Sequence, residues 1–428
     1  MVKKKVLVYP CGTEIGLEVY RAVHHAKQYE LYGGSSTYDH GRFVYERHLD
    51  NLPFITDTSS EEDIRQFNQM IAAENFDFIY PAMDGVITVF AKYRHCLDAV
   101  VLAPEYATAA ITRSKRKTYD LLAGVVPLPR IYTSPAEVKQ FPVFMKPAVG
   151  QGARGTKLIQ DAQSLAQCGW ESGKHLLLEY LPGNEFTIDC FTNAAGKLVY
   201  ARGRGRRRIR DGISVNTLFV ENEKFQLYAE SINQMLQQKG AWFFQVREAE
   251  DGTLKLLEVA SRIAGTSAVD RCTGVNLPLL TLDTFAGLDI DDVVVNGYAI
   301  ELDRALENRY HVDLVYDTVY IDYDDTVVHG KAVNLLVVRF LWQCVNQGKR
   351  LILLTKHEGD LQASLREHRL EQMFDEVIHL QQSDDKAEYI QRGNVIFVDD
   401  SYAERRQVYQ SCHIPVFDVP MLECLLTD

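Results

Sequence analysis

The sequence predicts an α/β protein built from more than one unit, and three stretches carry that prediction. Lys5 to Tyr9 reads as a buried strand that runs into a glycine turn, Cys11-Gly12-Thr13-Glu14-Ile15-Gly16, and then an amphipathic stretch through Ala26. Phe141 to Lys157 (FPVFMKPAVGQGARGTK) sets an apolar run ending in Lys146-Pro147 before a glycine-rich loop and a second apolar run, Leu158-Ile159. Thr318 to Ile321 reads as a strand that runs straight into Asp322-Tyr323-Asp324-Asp325-Thr326.

Composition bounds the answer. A chain of 428 residues has room for several domains and ample core. With 46% hydrophobic and 24% charged residues, it is ordinary folded protein, which excludes large-scale disorder. A net charge of −12 argues against a general nucleic-acid binder, which needs a basic face to displace counterions. The eight cysteines are scattered without a CxxC pair, so free core thiols in a reducing cytosol are expected, not disulfides or a zinc site. The basic start MVKKKVLVYP has too short an apolar run for a signal peptide, and no run approaches a membrane span. The expected location is the cytoplasm.

Taken in order, the first unit continues with a helix over Glu61–Glu74, a strand over Phe76–Pro81 ending near Asp84-Gly85, and a short strand over Val100–Ala103. Its first turn is not GxGxxG, so a plain βα connection is the expectation, and these first hundred residues carry no chemistry that their side chains reveal. Ser114-Lys115-Arg116-Lys117-Thr118 then opens a helix, and Pro127 and Pro129 lead towards the glycine loop. Gly150, Gly152 and Gly155 let the backbone approach a ligand and aim N–H groups at an anion, with Lys146 a fixed charge beside them. The spacing imitates a P-loop, but Thr156-Lys157 reverses the order that loop requires, so a glycine flap between two strands is expected.

Beyond the flap, His175–Glu179 (HLLLE) is a strand, and a turn over Tyr180–Glu185 leads to a second strand, Phe186–Phe191. Glu179 and Glu185 bracket that turn, and a hinge with exposed backbone and acceptors suits an adenine amine and ribose hydroxyls. Arg202 to Arg210 (RGRGRRRIR) holds six arginines in nine residues. Such a run reads as a solvated face or a nucleic-acid patch; in an acidic chain, between strand-like segments, an anion pocket is at least as good a reading. Trp242–Gln245 and Leu254–Val259 pair across the turn Glu250-Asp251-Gly252, bringing Gln245 near Glu258, with Arg262 just beyond.

This ordered set resembles the ATP-grasp superfamily, in its carbamoyl-phosphate-synthase-like branch, over about residues 1 to 300. The resemblance implies ATP and Mg²⁺ as cofactors. Lys115 and Lys146 would meet the phosphates and adenine, under a flap carrying Gly152 and Gly155. Glu179 and the backbone at Leu181 would read the adenine edge, and Glu185 the ribose. Gln245 and Glu258 would hold Mg²⁺, while Arg204 or Arg206, with Arg262, would meet phosphate or acyl phosphate. The chain departs from the pattern at Ala260, where the family places an asparagine as a further metal ligand. Mg²⁺ keeps waters and leans on substrate phosphates, so one lost ligand need not abolish binding. The implied chemistry is phosphorylation of a carboxylate followed by attack of an amine, giving an amide.

A charged, irregular stretch from Asp303 to Asp317 places a boundary near Asn308. Beyond it, Leu351–Leu354 is a strand ending in Thr355, Lys386 starts an amphipathic helix, and Val395–Val398 is a strand ending in Asp399-Asp400. Side chains at the C-terminal ends of parallel strands converge on one edge. Helices over Asn334–Gln347 and Leu361–Phe374 fill the intervals. This set resembles the haloacid-dehalogenase (HAD) superfamily over about residues 310 to 428, which implies a capping domain inserted in one of those intervals, and the two helices leave no room for it. The resemblance implies Asp322 as a nucleophile that forms an aspartyl phosphate and Asp324 as general acid and base. Thr355 and Lys386 would hold the phosphoryl group, and Asp399 would complete a Mg²⁺ site with Asp322 and the backbone carbonyl of Asp324.

The expectation is therefore an α/β chain with a pre-ATP-grasp domain over 1–108, an ATP-grasp domain over 109–305 and a capless HAD-like domain over 310–428. It is read as a bifunctional enzyme, an ATP-dependent carboxylate ligase joined to a Mg²⁺-dependent phosphatase. Its expected partners are a small carboxylate, an amine, a phosphorylated metabolite and a second copy of the chain. The alternatives are a phosphatase governed by a nucleotide-sensing, ligase-inactive first part, and an RNA-associated enzyme using the arginine run.

Overall fold

The computed structural model describes residues 3–427 except 151, 153, 211, 307–309 and 311. It divides into two compact units, Met1–Glu307 and Asn308–Asp428.

The first unit holds three sheets. In the first, β1 (Lys4–Tyr9), β2 (Tyr29–Gly34), β3 (His48–Leu49), β4 (Phe78–Pro81) and β5 (Val100–Val101) run parallel in the order β3-β2-β1-β4-β5. The residues of β1 alternate between two apolar cores: Val6 and Val8 face Ile15 and Val19, while Leu7 and Tyr9 face Phe67 and Phe90. A strand covered on both faces must be apolar throughout, and Val6 to Tyr9 is. The helix expected to reach Ala26 is Glu14–Val23, capped by the Thr13 side chain at the Gly16 N–H. The strands expected over Phe76–Pro81 and Val100–Ala103 are trimmed to β4 and β5, because the backbone at Asp77 and Leu102 only flanks the paired residues.

The second sheet is antiparallel, with β6 (Ile131–Tyr132), β7 (Val143–Pro147), β8 (Lys157–Ile159) and β9 (His175–Glu179) in the order β6-β9-β7-β8. β7 and β8 pair directly, so the glycine loop is a flap between two strands; Gln151 and Ala153 lie outside the described residues. The third sheet has β10 (Glu185–Thr192), β11 (Leu198–Arg210), β12 (Ile213–Phe219), β13 (Gly240–Glu248), β14 (Leu254–Ala260) and β15 (Glu301–Asp303), in the order β14-β13-β10-β11-β12-β15. The helix Glu223–Leu236 packs Phe225, Ala229 and Ile232 on one face of this sheet, against Ile188, Trp242 and Phe244.

The arginine run is not flanked by strands; it is the end of β11 itself. Register shifts against β12 between Arg206 and Ile209 divide it: Arg204 and Arg206 turn inward, and Arg207 and Arg208 turn out to Glu301 and Asp303.

In the second unit, β16 (Thr318–Ile321) is followed by the hairpin β17 (Val328–His329) and β18 (Ala332–Val333), then β19 (Arg350–Thr355), β20 (Glu376–His379), β21 (Val395–Val398) and β22 (Val416–Phe417). The five longer-range partners form a parallel sheet, β20-β19-β16-β21-β22. Val319, Ile321, Leu351, Leu353 and Ile396 pack on Phe340 and Leu341 on one face, while Tyr320, Ile352, Leu354 and Phe397 pack on Val408 and Ile414 on the other. Two expectations need correction. Lys386 does not open an amphipathic helix but a single 3₁₀ turn, Lys386–Tyr389, because Ile390 returns to extended backbone and is buried in the sheet's core. The helix from Leu361 stops at Glu367, where Arg369 takes a left-handed φ of 59° that no helix continues through.

No helix among the described residues is long and apolar enough to cross a membrane.

Candidate functional site

Two adjoining cavities open in the first unit. The first, of about 250 Å³, is lined by Lys115, Lys146, Gly152, Glu179, Leu181, Glu185, Arg206, Gln245 and Glu258, with Phe144, Leu178 and Leu257 as apolar walls. The second, of about 600 Å³, is lined by Thr13, Glu14, Asp84, Arg204, Arg262 and Thr266, and it shares Gly152, Arg206, Gln245 and Glu258 with the first. The shared residues mark where the cavities meet.

Strand register builds that junction. Gln245 on β13 and Glu258 on β14 lie directly opposite each other, and Thr187 on β10 lies opposite Gln245. Lys115 sits in the first turn of the helix Lys115–Leu122, which Ser114 caps, and its Nζ lies 3.2 Å from the Glu258 carboxylate. Burial alone would raise the Glu258 carboxyl, but the charges of Lys115 and Lys146 outweigh it and hold the group below its usual range. Lys146, on β7, donates to the Tyr119 hydroxyl at 2.8 Å and to the Leu257 carbonyl at 2.9 Å. Burial, and then the neighbouring Lys115 charge, push its ammonium down to about 7.

The hinge between β9 and β10 is held by ion pairs. Glu179 pairs with Lys255 across the cavity wall, and Glu185 pairs with Arg206 at 2.9 Å and with Arg247 at 3.6 Å. Leu181 is buried between them. Gly152 takes a φ of 60° and contributes to both cavities. Gly155 does not join it: at a φ of 73° it lies in a neighbouring hollow with Phe54, Asp57 and Arg113.

The arginines separate by role. Arg204 lines only the second cavity, where it is 1% exposed and bonded to Asp189 at 2.5 Å and to the Thr266 hydroxyl. Arg206 reaches both cavities. Arg262 lines the second and forms two 2.8 Å hydrogen bonds with Asp84, a bidentate pair. Asp84, Thr13 and Glu14 therefore give the first hundred residues a share of the site, contrary to the sequence reading. Ala260 packs with Phe243 and Ala264, and the neighbouring Ser261 hydroxyl is engaged by Thr112 at 3.1 Å.

In the second unit, the sheet edge collects the expected side chains. Lys386 Nζ lies between Asp322 at 2.6 Å and Asp399 at 2.7 Å, all three buried. Burial pushes the Asp322 carboxyl up to about 6, against the pull of Lys386 and with the push of Asp399. Carboxylate oxygens of Asp322, Asp399 and Asp400 lie within 4.8 Å of one another, so Asp400 joins the cluster that the sequence reading gave to Asp399. Asp400 also accepts from the Thr326 hydroxyl at 3.2 Å. Thr355 is fully buried at the end of β19, its hydroxyl accepting from the His357 N–H. Asp324 is half-exposed, and both its carboxylate oxygens lie 2.9 Å from His357 Nδ1.

Tyr119, Asp84 and His357 were missed from the sequence. Asp84 stood at a strand end, which is a signal; the other two carried none.

A cluster of Cys11, Asp39 and His48 in the first unit closes on the buried Ser35 hydroxyl, which meets the three groups at 3.1, 2.9 and 3.3 Å. None of the eight cysteines is in a disulfide.

The arrangement of the third sheet, the flap and the hinge is the ATP-grasp fold. Within it, residues 171–305 match the family model described as "ATP-grasp in the biosynthetic pathway with Ter operon". Three solved structures are similar in fold. The biotin carboxylase domain of Hydrogenobacter thermophilus 2-oxoglutarate carboxylase, in complex with MgADP, ADP and bicarbonate, superposes with a TM-score of 0.57 at 14% identity, over 69% of this chain and 73% of that one. N5-carboxyaminoimidazole synthetase from Staphylococcus aureus gives 0.54 at 12% identity, over 69% and 81%. Biotin carboxylase from Campylobacter jejuni, in its β-γ-ATP complex, gives 0.54 at 15% identity, over 69% and 74%. A comparison with curated proteins finds no match.

Proposed function

We propose that this protein is an ATP-dependent carboxylate ligase joined to an aspartate-based phosphatase. The observation that carries the ligase reading is the meeting of the two cavities at Gln245 and Glu258. ATP would lie in the first, with adenine between Phe144 and Leu257, its edge at Glu179 and Leu181, and its ribose at Glu185. Its terminal phosphate would point at the junction. The carboxylate substrate would enter the second cavity, where Arg206 and Arg262 face it. A carboxylate, a carboxamide oxygen and adjoining room for phosphate form a hard-oxygen donor set that fits Mg²⁺, held by Glu258 and Gln245. Bound there, Mg²⁺ would neutralise phosphate charge. Lys115 and Lys146 would also neutralise the phosphates, Arg262 orients the carboxylate oxygen for attack on the terminal phosphorus with ADP leaving, and an amine then attacks the acyl phosphate and displaces phosphate. The similar proteins in complex with MgADP, ADP and bicarbonate, and with β-γ-ATP, support ATP and Mg²⁺ as the ligands of this reading.

The phosphatase reading rests on Asp322, Lys386 and Asp399 converging with Thr355 at the C-terminal edge of a parallel sheet. Three carboxylates within reach of one another fit Mg²⁺, which Asp322, Asp399 or Asp400, and the Asp324 backbone would hold and which would supply charge neutralisation. Asp322 attacks phosphorus, Lys386 and Thr355 hold the phosphoryl oxygens, and Asp324 protonates the leaving oxygen. With only the β17–β18 hairpin, the helices Leu335–Asn346 and Leu361–Glu367 and strand β20 in the intervals, the edge is uncapped among the described residues.

The test uses the full-length Asp322→Asn variant, with ATP and Mg²⁺, against a metabolite extract. ADP release together with a new amide-containing product supports the ligase reading. Tight ATP binding without ADP release from any extract supports the sensor reading instead, for which the alanine at position 260 is the motivating observation.

A further inference from the structure

The acid/base aspartate of the second unit stands where it has no reason to keep still. Asp324 is half-exposed, at the start of a turn in which Asp325 adopts a φ of 54°. An exposed carboxylate on a turn samples several rotamers, yet proton transfer requires it within hydrogen-bond reach of one oxygen. Among the described residues its carboxylate has one partner, His357, whose Nδ1 sits 2.9 Å from both oxygens.

His357 itself is held by three contacts, and its neighbour Lys356 by two more. The His357 N–H donates to the Thr355 hydroxyl at 3.2 Å, and its carbonyl is met by His379 Nε2 at 2.8 Å. Its ring lies edge-on to Tyr323, with centroids 5.2 Å apart. Lys356, just before it, pairs with Glu404 at 2.7 Å, and the Lys356 carbonyl accepts from Gln382 at 2.7 Å. The His357 backbone is thus tied to the ends of β19 and β20 and its ring packs on Tyr323, whereas the Asp324 backbone bridges Val328 and its carboxylate meets His357 alone among the described residues. The direction of support runs from the histidine to the aspartate.

We propose that His357 is a positioning residue for the phosphatase: it orients the Asp324 carboxyl for proton transfer to the leaving oxygen. The inference rests on the phosphatase reading. In the first step, Asp322 attacks phosphorus, the P–O ester bond breaks, and the ester oxygen departs with the Asp324 proton. In the second, water attacks phosphorus of the aspartyl phosphate, gives its proton to Asp324, and releases phosphate and the Asp322 carboxylate. Removing His357 leaves nucleophile and phosphoryl cradle intact and damages the proton transfer. That damage must scale with how much the leaving group needs a proton.

The experiment measures kcat/KM of the full-length protein on two probes, p-nitrophenyl phosphate, whose leaving group departs without a proton, and glycerol 2-phosphate, whose alkoxide does not. Because kcat/KM reports only steps through formation of the aspartyl phosphate, the later hydrolysis does not blur the comparison. His357→Ala is expected to lose roughly 10²-fold on the alkyl ester, the low end of general-acid catalysis, and far less on the aryl ester. His357→Asn, which returns an N–H donor near the Nδ1 position, is expected to recover most of the alkyl activity. Equal losses on both esters, or no loss on either, overturn the proposal. An asparagine variant as poor as alanine also overturns it, because the imidazole would then be transferring the proton itself. Asp322→Asn provides the separate control: it should abolish both activities, and full turnover in that variant would remove the phosphatase reading on which the proposal stands.

Discussion

Lys146, in the lining of the first cavity, meets Tyr119 at 2.8 Å, an ammonium against a phenol hydroxyl with no carboxylate bonded to either among the described residues. The lysine is buried, and its ammonium sits at about 7, well below the solution value. Above that pH the ligand-free protein holds it neutral. A polyphosphate placed beside it stabilises the charged form, so ATP binding must take up a proton above pH 7, and affinity must fall as pH rises, by up to about tenfold per unit. Below pH 7 the lysine is already charged and uptake vanishes. Calorimetry of a non-hydrolysable ATP analogue at pH 8, in buffers of different ionisation heat, reads the uptake. It should be present in the parent and lost in Lys146→Met; identical heats in all buffers for the parent would count against this placement.

Arg262 touches the second cavity and not the first. Its substitution should separate the two substrates. Arg262→Ala is expected to cut ATP-dependent turnover by roughly 10²–10³-fold, the usual scale for one donor aimed at developing charge, while leaving KM for ATP close to the parent value. A rise in KM for ATP as large as the fall in turnover would place Arg262 on the nucleotide.

Much of this site was legible from residue order alone. Lys146 ends an apolar strand, Glu179 and Glu185 bracket a hinge, and the turn between β13 and β14 brings Gln245 near Glu258, with a register shift between Gln245 and Val246 setting the two directly opposite. What was not legible depended on distant approach. Asp84 reaches Arg262 from the start of the helix Asp84–Lys92 that follows β4, and Tyr119 reaches Lys146 from a helix whose burial no local pattern marks. His357 reads as one more polar residue in a loop until β16 and β19 are paired and set Asp324 beside it. The arginine run was legible only in part: register shifts divide it into inward and outward side chains, and such shifts leave no signature in a string of like charges. Helix ends were misplaced where a single left-handed residue, such as Arg369, stops a pattern that the apolar spacing would continue.

Ala260 lies two residues from Glu258 on β14, so both side chains share one face of the strand. An asparagine there would present a carboxamide oxygen beside the Glu258 carboxylate. Thr112 already engages the hydroxyl of Ser261, the adjacent residue that would otherwise offer an oxygen there. Ala260→Asn is expected to lower the Mg²⁺ concentration that half-saturates ATP turnover. An unchanged half-saturation with activity retained would remove position 260 from the metal's surroundings.

Each unit has its own apolar core, and Phe340 is fully buried in that of the second. Phe340→Ala should cost about 3–5 kcal/mol in that unit. Aryl phosphatase activity should then be lost at lower temperature, while ATP-dependent turnover keeps the parent's thermal profile. Joint loss of both activities at one lowered temperature would contradict independent folding of the two cores.

The central claim, two chemistries at two separate sites, is tested most directly by one crossed measurement of ADP release and aryl phosphate hydrolysis. Glu258→Ala should abolish ADP release and leave the hydrolysis at the parent rate, and Asp322→Asn should do the reverse. ADP release at the parent rate in Glu258→Ala, or loss of both activities in either variant, would contradict the account.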